Sequence, residues 1–144
     1  MKLRDARPTD APAIGGIIGD WFETTPYLPR LHSLPEDIEF AGHLITDGGV
    51  TVAEDGSVLG FVAYRAPLLS HLFVHAGARG KGIGSLLMDM VKTEAQAIEL
   101  WCFQANEEAR RFYESRGFEI VEETDGARNE EKIPDLRYLW KASQ

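Results

Sequence analysis

The stretch Arg79-Gly80-Lys81-Gly82-Ile83-Gly84-Ser85 lies between an apolar, strand-like segment and a helical pattern. The segment before it is Leu72-Phe73-Val74, and the pattern after it is Leu86-Leu87-Met88-Asp89-Met90-Val91. A glycine-rich turn between a strand and a helix exposes main-chain N–H groups at the positive end of the helix dipole. The glycines let an anion approach the main chain closely, and Arg79 and Lys81 add positive charge. The stretch therefore predicts a site for a phosphate-bearing cofactor.

The glycine spacing distinguishes between cofactor classes. A P-loop needs Gly-x-x-x-x-Gly-Lys-Ser/Thr, and the chain contains no Gly-Lys-Ser/Thr. The dinucleotide fingerprint needs Gly-x-Gly-x-x-Gly, whereas this loop reads Gly80-x-Gly82-x-Gly84. Glu99 lies where a ribose-binding acid is expected, but it sits inside an apolar run, and no repeated strand–helix–strand units follow. A dinucleotide site is therefore a weak alternative.

A second pattern begins about 25 residues later and runs from Asn106 to Phe118. Asn106 is a good N-cap, two glutamates follow it in the first turn, and Gly117 is the expected residue after the helix. Ala109, Phe112 and Tyr113 fall at helical spacing on one face. From the residues alone, Tyr113 is an ordinary core aromatic of an amphipathic helix.

The two patterns together resemble the GNAT superfamily of N-acetyltransferases. The loop matches that family's Gln/Arg-x-x-Gly-x-Gly/Ala at Arg79, Gly82 and Gly84, and the second pattern matches its Asn-x-x-Ala-x-x-Phe-Tyr-x-x-x-Gly-Phe. The resemblance implies acetyl-CoA as cofactor, with Asn106 near its pantetheine and Tyr113 near the thioester sulfur. The cofactor-binding residues that it implies are Leu72, Phe73, Val74, Arg79, Gly80, Lys81, Gly82, Ile83, Gly84, Ser85 and Asn106.

The remaining segments fit the order β-α-α-β-β-β-α-β-α-β-β, which is the order expected for the GNAT fold. We predict an α/β (α+β) fold with a mixed, mostly antiparallel sheet of about seven strands and about four helices. The first helix is predicted from Asp10 to Glu23, although three glycines weaken it. Asp55-Gly56 predicts a hairpin, and 124–134 reads as a mobile loop. Leu136, Tyr138 and Trp140 share one face of the last strand, which leaves burial against the core or against a second subunit open.

The predicted activity is transfer of an acetyl group to a primary amine by direct attack on the thioester. The resemblance implies that free main-chain N–H groups at Leu72, Phe73 and Val74 bind the acetyl carbonyl and that Tyr113 is the general acid. The alternative is a module with the same fold that binds acyl-CoA without catalysis. Both signatures are intact in this chain, which favours the enzyme.

The general base is unassigned. Some family members carry a glutamate where this chain has Leu68, which cannot accept a proton. His71 and His75 are candidates, since a histidine titrates near neutrality, although His71 also reads as a partly exposed strand residue without a catalytic role. A chain of water molecules as the base and an acceptor amine whose pKa is already lowered are further alternatives.

The segment 21–30 combines aromatics, an acid and two prolines, and the resemblance implies that this region between the first two helices lines the acceptor pocket. The alternative is a loop that packs its aromatics over the core. Glu23 and Tyr27 could hold an ammonium group by ionic and cation–π contact. Trp101 and Cys102 are neighbours on a predicted strand and point to opposite faces of the sheet, so one of them should face the acceptor. We interpret Cys102 as a small buried apolar residue. The acceptor is expected to be a small molecule or a peptide.

Composition narrows the function further. The 144 residues predict one domain over 1–144, with 44% hydrophobic residues to form its core. A formal net charge of −8 argues against nucleic-acid binding and suits a cationic acceptor. One cysteine excludes an internal disulfide, and no CxxC pattern predicts a metal site. With no apolar stretch of membrane-spanning length and no signal-peptide pattern, we expect a cytoplasmic protein without a membrane partner.

Overall fold

The strands and helices follow the predicted order in the computed structural model, which describes residues 1–143. The first half contains β1 (Lys2–Asp5), α1 (Ala11–Thr24), α2 (Leu34–Asp47), β2 (Val50–Glu54), β3 (Val58–Arg65) and β4 (Leu68–Val74). The second half contains α3 (Ile83–Glu94), β5 (Ala97–Phe103), α4 (Glu107–Ser115), β6 (Glu119–Thr124) and β7 (Asp135–Lys141). The predicted fold class is therefore confirmed.

All seven strands form one sheet in the order β1-β2-β3-β4-β5-β7-β6. Every neighbouring pair is antiparallel except β4 and β5, which run parallel. The chain reaches β5 from β4 through α3, as a parallel connection requires. The parallel pair thus lies in the middle of the sheet, with antiparallel strands on both sides.

Two apolar cores cover the two faces of the sheet. On one face, α1 and α2 pack on β2 and β3, around Ile14, Ile18, Val52 and Phe61. On the other face, residues of α3, β5, α4 and β7 form a larger cluster. Alternation of side chains along each strand sends successive residues to opposite cores.

Two glycines of α1 make the contact with α2. A Cβ on Gly15 would lie 2.7 Å from Ile38 Cα, and a Cβ on Gly19 would lie 2.9 Å from Asp37 Oδ2. By contrast, a Cβ on Gly16 would meet nothing within 4 Å. The glycines that weaken α1 as an isolated helix therefore allow close packing of the two helices.

Two of the helices, α2 and α4, begin with a side-chain cap. Ser33 Oγ accepts a hydrogen bond from Glu36 N at 3.3 Å, and Glu36 Oε1 accepts one from Ser33 N at 2.9 Å. Asn106 Oδ1 accepts one from Ala109 N at 3.1 Å, at the start of α4. These side chains satisfy N–H groups that a helix leaves unbonded at its start.

The last strand buries its apolar face within the same chain. Leu136 is 1% exposed and Tyr138 is fully buried, and Trp140 packs at the edge of the same core. Of the two alternatives for this face, the structure therefore shows burial against the core. The apolar face of the last strand was the reason to consider a homodimer, and it no longer supports one.

The loop between β6 and β7 forms hydrogen-bonded turns, unlike the mobile segment expected from its composition. Asn129 Nδ2 donates to Ile133 O at 2.7 Å and to Asp135 Oδ2 at 3.1 Å.

Over residues 1–143, no helix has the length and apolar character needed to cross a bilayer.

Candidate active site

The central feature of the site is a gap between β4 and β5. The two strands share one register pair, Leu68 with Glu99, and Glu99 N donates to Pro67 O at 2.8 Å. A bulge at Ser70 bends β4 at this point, since Tyr64 of β3 pairs with Leu69 while Ala63 pairs with His71. Beyond the bulge the strands diverge, and main-chain groups on the inner edges of both lack a strand partner.

The alternation of hydrogen bonds identifies which groups of β4 face the gap. His75 N donates to Leu59 O at 2.7 Å, so every second residue before it also bonds towards β3. The main-chain N–H and C=O groups of Leu72 and Val74 therefore point into the gap. Phe73 corrects the expectation for this segment, because its main chain belongs to the ladder with β3 and its ring packs on Trp21, 4.9 Å between centroids.

A cavity of about 1510 Å³ occupies the gap and extends over the sheet at its mouth. Its walls include β4 residues 69–74, β5 residues 100–103 and the glycine-rich loop. Asn106 and Tyr113 of the second sequence pattern also line it. The two sequence signatures, about 25 residues apart along the chain, thus meet around one space.

The glycine-rich loop has the conformation expected of an anion site. Gly80 and Gly82 have φ values of +79° and +78°, in the left-handed region that favours glycine. Gly82 precedes α3 and accepts its first helical bond from Leu86 N at 3.0 Å. The N–H groups of Ile83–Ser85 consequently have no acceptor within the helix. Six of the seven predicted loop residues line the cavity, whereas Lys81 is exposed and does not.

Tyr113 is buried except at the cavity. The residue is 9% exposed and its ring lies against Phe112, Phe118 and Tyr138, at centroid distances of 5.4, 5.6 and 6.0 Å. Within residues 1–143 its hydroxyl makes no hydrogen bond. Burial raises the pKa of this hydroxyl, so Tyr113 carries its proton at neutral pH.

Cys102 lines the same cavity as a neutral thiol. Burial raises its pKa to about 12, and its Sγ lies 3.5 Å from Phe103 O. A thiol with that pKa is a poor nucleophile at neutral pH, because the thiolate is the reactive form. The structure agrees with the small buried residue expected from the sequence.

The two histidines considered as bases have different surroundings. His75 Nδ1 accepts a hydrogen bond from Gly77 N at 3.0 Å, which is a local structural role. His71 lines the cavity with its Nδ1 2.8 Å from Ser70 Oγ, and the rings of Phe40 and Phe73 lie 5.4 and 6.0 Å away. Burial lowers the pKa of His71 to about 4, so its ring is neutral at physiological pH.

The three predicted acceptor contacts have separate positions. Trp101 is 45% exposed and lines the cavity on the face of α1 and α2. Tyr27 lines a neighbouring cavity of about 320 Å³, beside Arg79 and Asn106. The expectation for Glu23 is not met: its side chain is 67% exposed, lies 3.7 Å from Arg30 Nε and borders neither cavity. Its position at the exposed end of α1 directs it to solvent.

An acidic rim lies at the part of the cavity lined by α2 and the β6–β7 loop, and it was not predicted from the sequence. We use this name for the cavity-lining residues Glu36, Glu39, Glu130 and Glu131. His32 joins the two segments of the rim, with Nε2 2.6 Å from Glu130 Oε1 and Nδ1 3.6 Å from Glu36 Oε2. The first of these contacts spans 98 residues of sequence, so no local pattern could have indicated it.

Residues 46–120 match the sequence profile of the family described as "Acetyltransferase (GNAT) domain". A curated relative is the peptidyl-lysine N-acetyltransferase YiaC of Escherichia coli strain K12, which is 34% identical over 92 residues. That match covers 63% of this chain and 62% of the relative. The chain thus spans less than two thirds of the relative's length.

Solved structures show the same fold over the whole chain. The apo form of YjaB from Escherichia coli has a TM-score of 0.80 at 19% identity, covering 99% of this chain and 98% of that one. YncA from Salmonella typhimurium, described as a putative acetyltransferase with its cofactor acetyl-CoA, has a TM-score of 0.76 at 18% identity, covering 100% and 95%. At these identities the likeness concerns the fold alone.

Proposed function

Because this chain belongs to the acetyltransferase (GNAT) family, we propose that it transfers an acetyl group from acetyl-CoA to a primary amine. The observation that carries the proposal is the gap between β4 and β5. It combines unpaired main-chain groups at Leu72 and Val74, the unbonded start of α3 and the Tyr113 hydroxyl around one cavity. Residues 1–144 act as one catalytic domain in this proposal.

The loop and α3 hold the anionic part of acetyl-CoA. The N–H groups of Ile83, Gly84 and Ser85 point along the axis of α3, where the helix dipole favours negative charge. Arg79 lines the same end of the cavity. In a protein with a net charge of −8, this end offers an anion main-chain donors and a local positive charge.

The acyl transfer uses main-chain donors and one side-chain acid. The amine nitrogen attacks the thioester carbon, an amide bond forms and the carbon–sulfur bond breaks. The N–H groups of Leu72 and Val74 are positioned to donate to the carbonyl oxygen as it gains charge, a contribution of about 3–4 kcal/mol per donor in other enzymes. Tyr113 gives its proton to the departing sulfur and regains one from water in the cavity.

The proton lost by the amine passes to water rather than to His71. A group with a pKa of about 4 is a weak acceptor for the proton of an alkylammonium ion. The aromatic side chains around His71 instead provide a poorly solvated surface, which favours the neutral amine over the ammonium ion. Water as the proton acceptor is consistent with the lack of a carboxylate at Leu68.

The acceptor that best fits the cavity is a lysine side chain. Trp101 and Phe40 offer apolar surface to its methylene groups, and the acidic rim attracts its positive charge before deprotonation. The name of the Escherichia coli relative, a peptidyl-lysine N-acetyltransferase, supports the same choice. A free small amine is the competing acceptor.

The alternative, a module that binds acyl-CoA without catalysis, is less well supported. Such a role needs only the loop and the start of α3. It leaves unexplained why a buried tyrosine presents an unbonded hydroxyl to the gap.

The direct test combines acetyl-CoA titration calorimetry with an assay of thiol release on lysine peptides. Wild-type protein should bind acetyl-CoA and release CoA when a lysine peptide is present. Gly82→Asp should abolish both, since the new carboxylate stands at the anion site. Gly56→Asp is a matched control: its φ of +76° resembles the +78° of Gly82, and neither site has an atom within 4 Å of a new Cβ.

The outcomes separate the two functions. Binding without thiol release on lysine peptides or small amines would favour the non-catalytic module. Equal binding by wild type and Gly82→Asp would contradict the assignment of the loop. Thiol release with small amines but not with lysine peptides would replace the acceptor and leave the reaction in place.

A further inference from the structure

Arg116 lies at the C-terminal end of α4 and reaches the first turn of α3. Its Nη2 donates to Ser85 Oγ, and Arg116 itself lines the cavity at the glycine-rich loop. The contact joins two segments 31 residues apart. It brings a guanidinium group to the helix start whose N–H groups are unbonded.

The guanidinium group is held in place by several contacts. It lies over the ring of Phe112, 3.7 Å from the ring centroid. Its Nη1 donates to Phe112 O at 3.2 Å and to Ser115 Oγ at 3.1 Å. At the main chain, Lys92 Nζ donates to Arg116 O at 2.6 Å. A side chain fixed in this way loses little conformational entropy when it binds a ligand.

No carboxylate lies within 4.0 Å of the guanidinium nitrogens of Arg116 in the described part of the chain. Arg116 differs in this from Arg4, which is paired with Asp10 at 2.8 Å, and from Arg137, which is paired with Glu122 at 2.9 Å. The positive charge of Arg116 is therefore available to an anion from outside the protein.

The donor count leaves room for such an anion. A guanidinium group has five N–H donors, and three are used by Ser85 Oγ, Phe112 O and Ser115 Oγ. The Nε–H and one Nη2–H remain. Two charged N–H donors are therefore available to a phosphate group.

We propose that Arg116 binds a phosphate group of acetyl-CoA, together with the unbonded N–H groups at the start of α3. This assignment rests on the proposed function. It makes α4 contribute at both ends, with Asn106 at its start and Arg116 at its end on either side of Tyr113. The phosphate is either part of the pyrophosphate or the 3′-phosphate of the nucleotide, and the two are separated by experiment.

The test compares three ligands on the Arg116→Leu variant by equilibrium binding. The ligands are acetyl-CoA, its 3′-dephospho form and S-acetylpantetheine, which carries no phosphate. Arg116→Leu should weaken acetyl-CoA binding about 10- to 100-fold, as expected for a charge-assisted hydrogen-bonded pair. Binding of S-acetylpantetheine should not change. Arg116→Lys should recover part of the loss, since it keeps the charge but not the planar fork.

The dephospho ligand identifies the phosphate. If the loss disappears with that ligand, Arg116 binds the 3′-phosphate; if the loss persists, it binds the pyrophosphate. Arg65→Leu removes an equal charge at an exposed position outside both cavities and should bind all three ligands as wild type does.

Two results would overturn the assignment. Equal weakening of all three ligands would mean that Arg116 only holds α3 against α4, and unchanged acetyl-CoA affinity would mean that it contacts no phosphate. Thermal unfolding of each variant identifies misfolding. If Arg116→Leu misfolds, Ser85→Ala provides a milder test, because it removes the hydrogen bond between Ser85 Oγ and Arg116 Nη2 and keeps the guanidinium group. Failure of the wild type to bind acetyl-CoA would instead overturn the proposed function, and this assignment with it.

Discussion

Tyr113 combines a buried ring with a hydroxyl open to the cavity. Its three aromatic neighbours restrict the ring, so the hydroxyl position is set by packing rather than by a hydrogen bond. The pKa raised by burial keeps the proton on the oxygen at neutral pH, so the hydroxyl can donate it to a thiolate that leaves beside it. A side chain of this kind can affect the reaction without contributing to ligand binding.

Tyr113→Phe is therefore expected to lower kcat at least about tenfold while leaving the affinity for acetyl-CoA nearly unchanged. The ring and its packing are retained, and only the proton donor is removed. Steady-state thiol release and calorimetric titration measure the two quantities. Tyr138→Phe is the comparison variant, since the hydroxyl of Tyr138 donates to Glu114 Oε2 at 2.6 Å and lies outside the cavity. Wild-type turnover in Tyr113→Phe would return this residue to a structural role.

His71 should affect stability in acid more than it affects catalysis. Its pKa is about 4 in the folded protein and about 6.5 in an unfolded chain. Between these values the unfolded chain binds a proton that the folded protein does not, so the free energy of unfolding decreases as pH falls. Wild type should therefore lose more stability between pH 7 and pH 5 than His71→Gln, as measured by urea unfolding.

His43→Gln is the control for this comparison, because His43 is a histidine of α2 whose side chain is 75% exposed. It should follow wild type. The pH–rate profile of His71→Gln should also keep the shape of the wild-type profile. Loss of a limb near neutrality in that variant alone would make His71 the general base after all.

The predictable part of the site consists of residues whose role depends on nearby sequence. The conformations of the glycine-rich loop and of the cap at Asn106 depend on residues that are close in sequence. Glu23 borders neither cavity, because the direction of a side chain at a helix end depends on tertiary packing. Arg116 and Glu130 were missed for the same reason, since Ser85 and His32, which they contact, lie 31 and 98 residues away.

At the scale of elements, the contact between α1 and α2 explains why a helix would contain Gly15 and Gly19. Helix propensity counts both against α1, and the sequence does not show what packs beside them. The structure shows that the space beside each glycine is filled, by Ile38 at Gly15 and by Asp37 and Arg30 at Gly19. Residues of both helices line the cavity, among them Trp21 of α1 and Phe40 of α2.

A pair of alanine substitutions separates propensity from packing in α1. Gly15→Ala is expected to destabilise the protein by about 1–3 kcal/mol, because the new methyl group would collide with main-chain atoms of Ile38. Gly16→Ala is expected to stabilise it by about 0.5–1 kcal/mol, because that side of the helix is open. Urea unfolding of both variants measures the difference. A gain in stability from Gly15→Ala would contradict the close contact.

The order of the elements was predictable because each one has a local signal: a cap, a hairpin turn or a period of apolar residues. The register between β4 and β5 was not predictable. The bulge at Ser70, beside the single β4–β5 register pair, has no signal in residue type either. The gap that carries the proposed function is thus a property of the assembled sheet.

At the scale of the whole molecule, a ligand in the gap would contact both parts of the sheet. Acetyl-CoA at about one hundred times its dissociation constant should raise the free energy of unfolding by about 2.7 kcal/mol. Amide hydrogen exchange should slow at Leu72 and Val74, whose N–H groups face the gap, and in the first turn of α3. Gly82→Asp should show neither effect at the same ligand concentration. Stabilisation without slower exchange at Leu72 and Val74 would place the ligand elsewhere.

The single register pair between β4 and β5 also bears on how long the protein survives in a cell. Beyond that pair, the inner edges of both strands lack hydrogen bonds to a neighbouring strand, which lowers the free energy of local opening there, and a protease cleaves such opened states. An acyl donor lying between the edges removes that opportunity for as long as it stays bound. Under the proposed function, a cell rich in acetyl-CoA would keep more of this protein, and starvation for the donor would shorten its lifetime before any change in its synthesis.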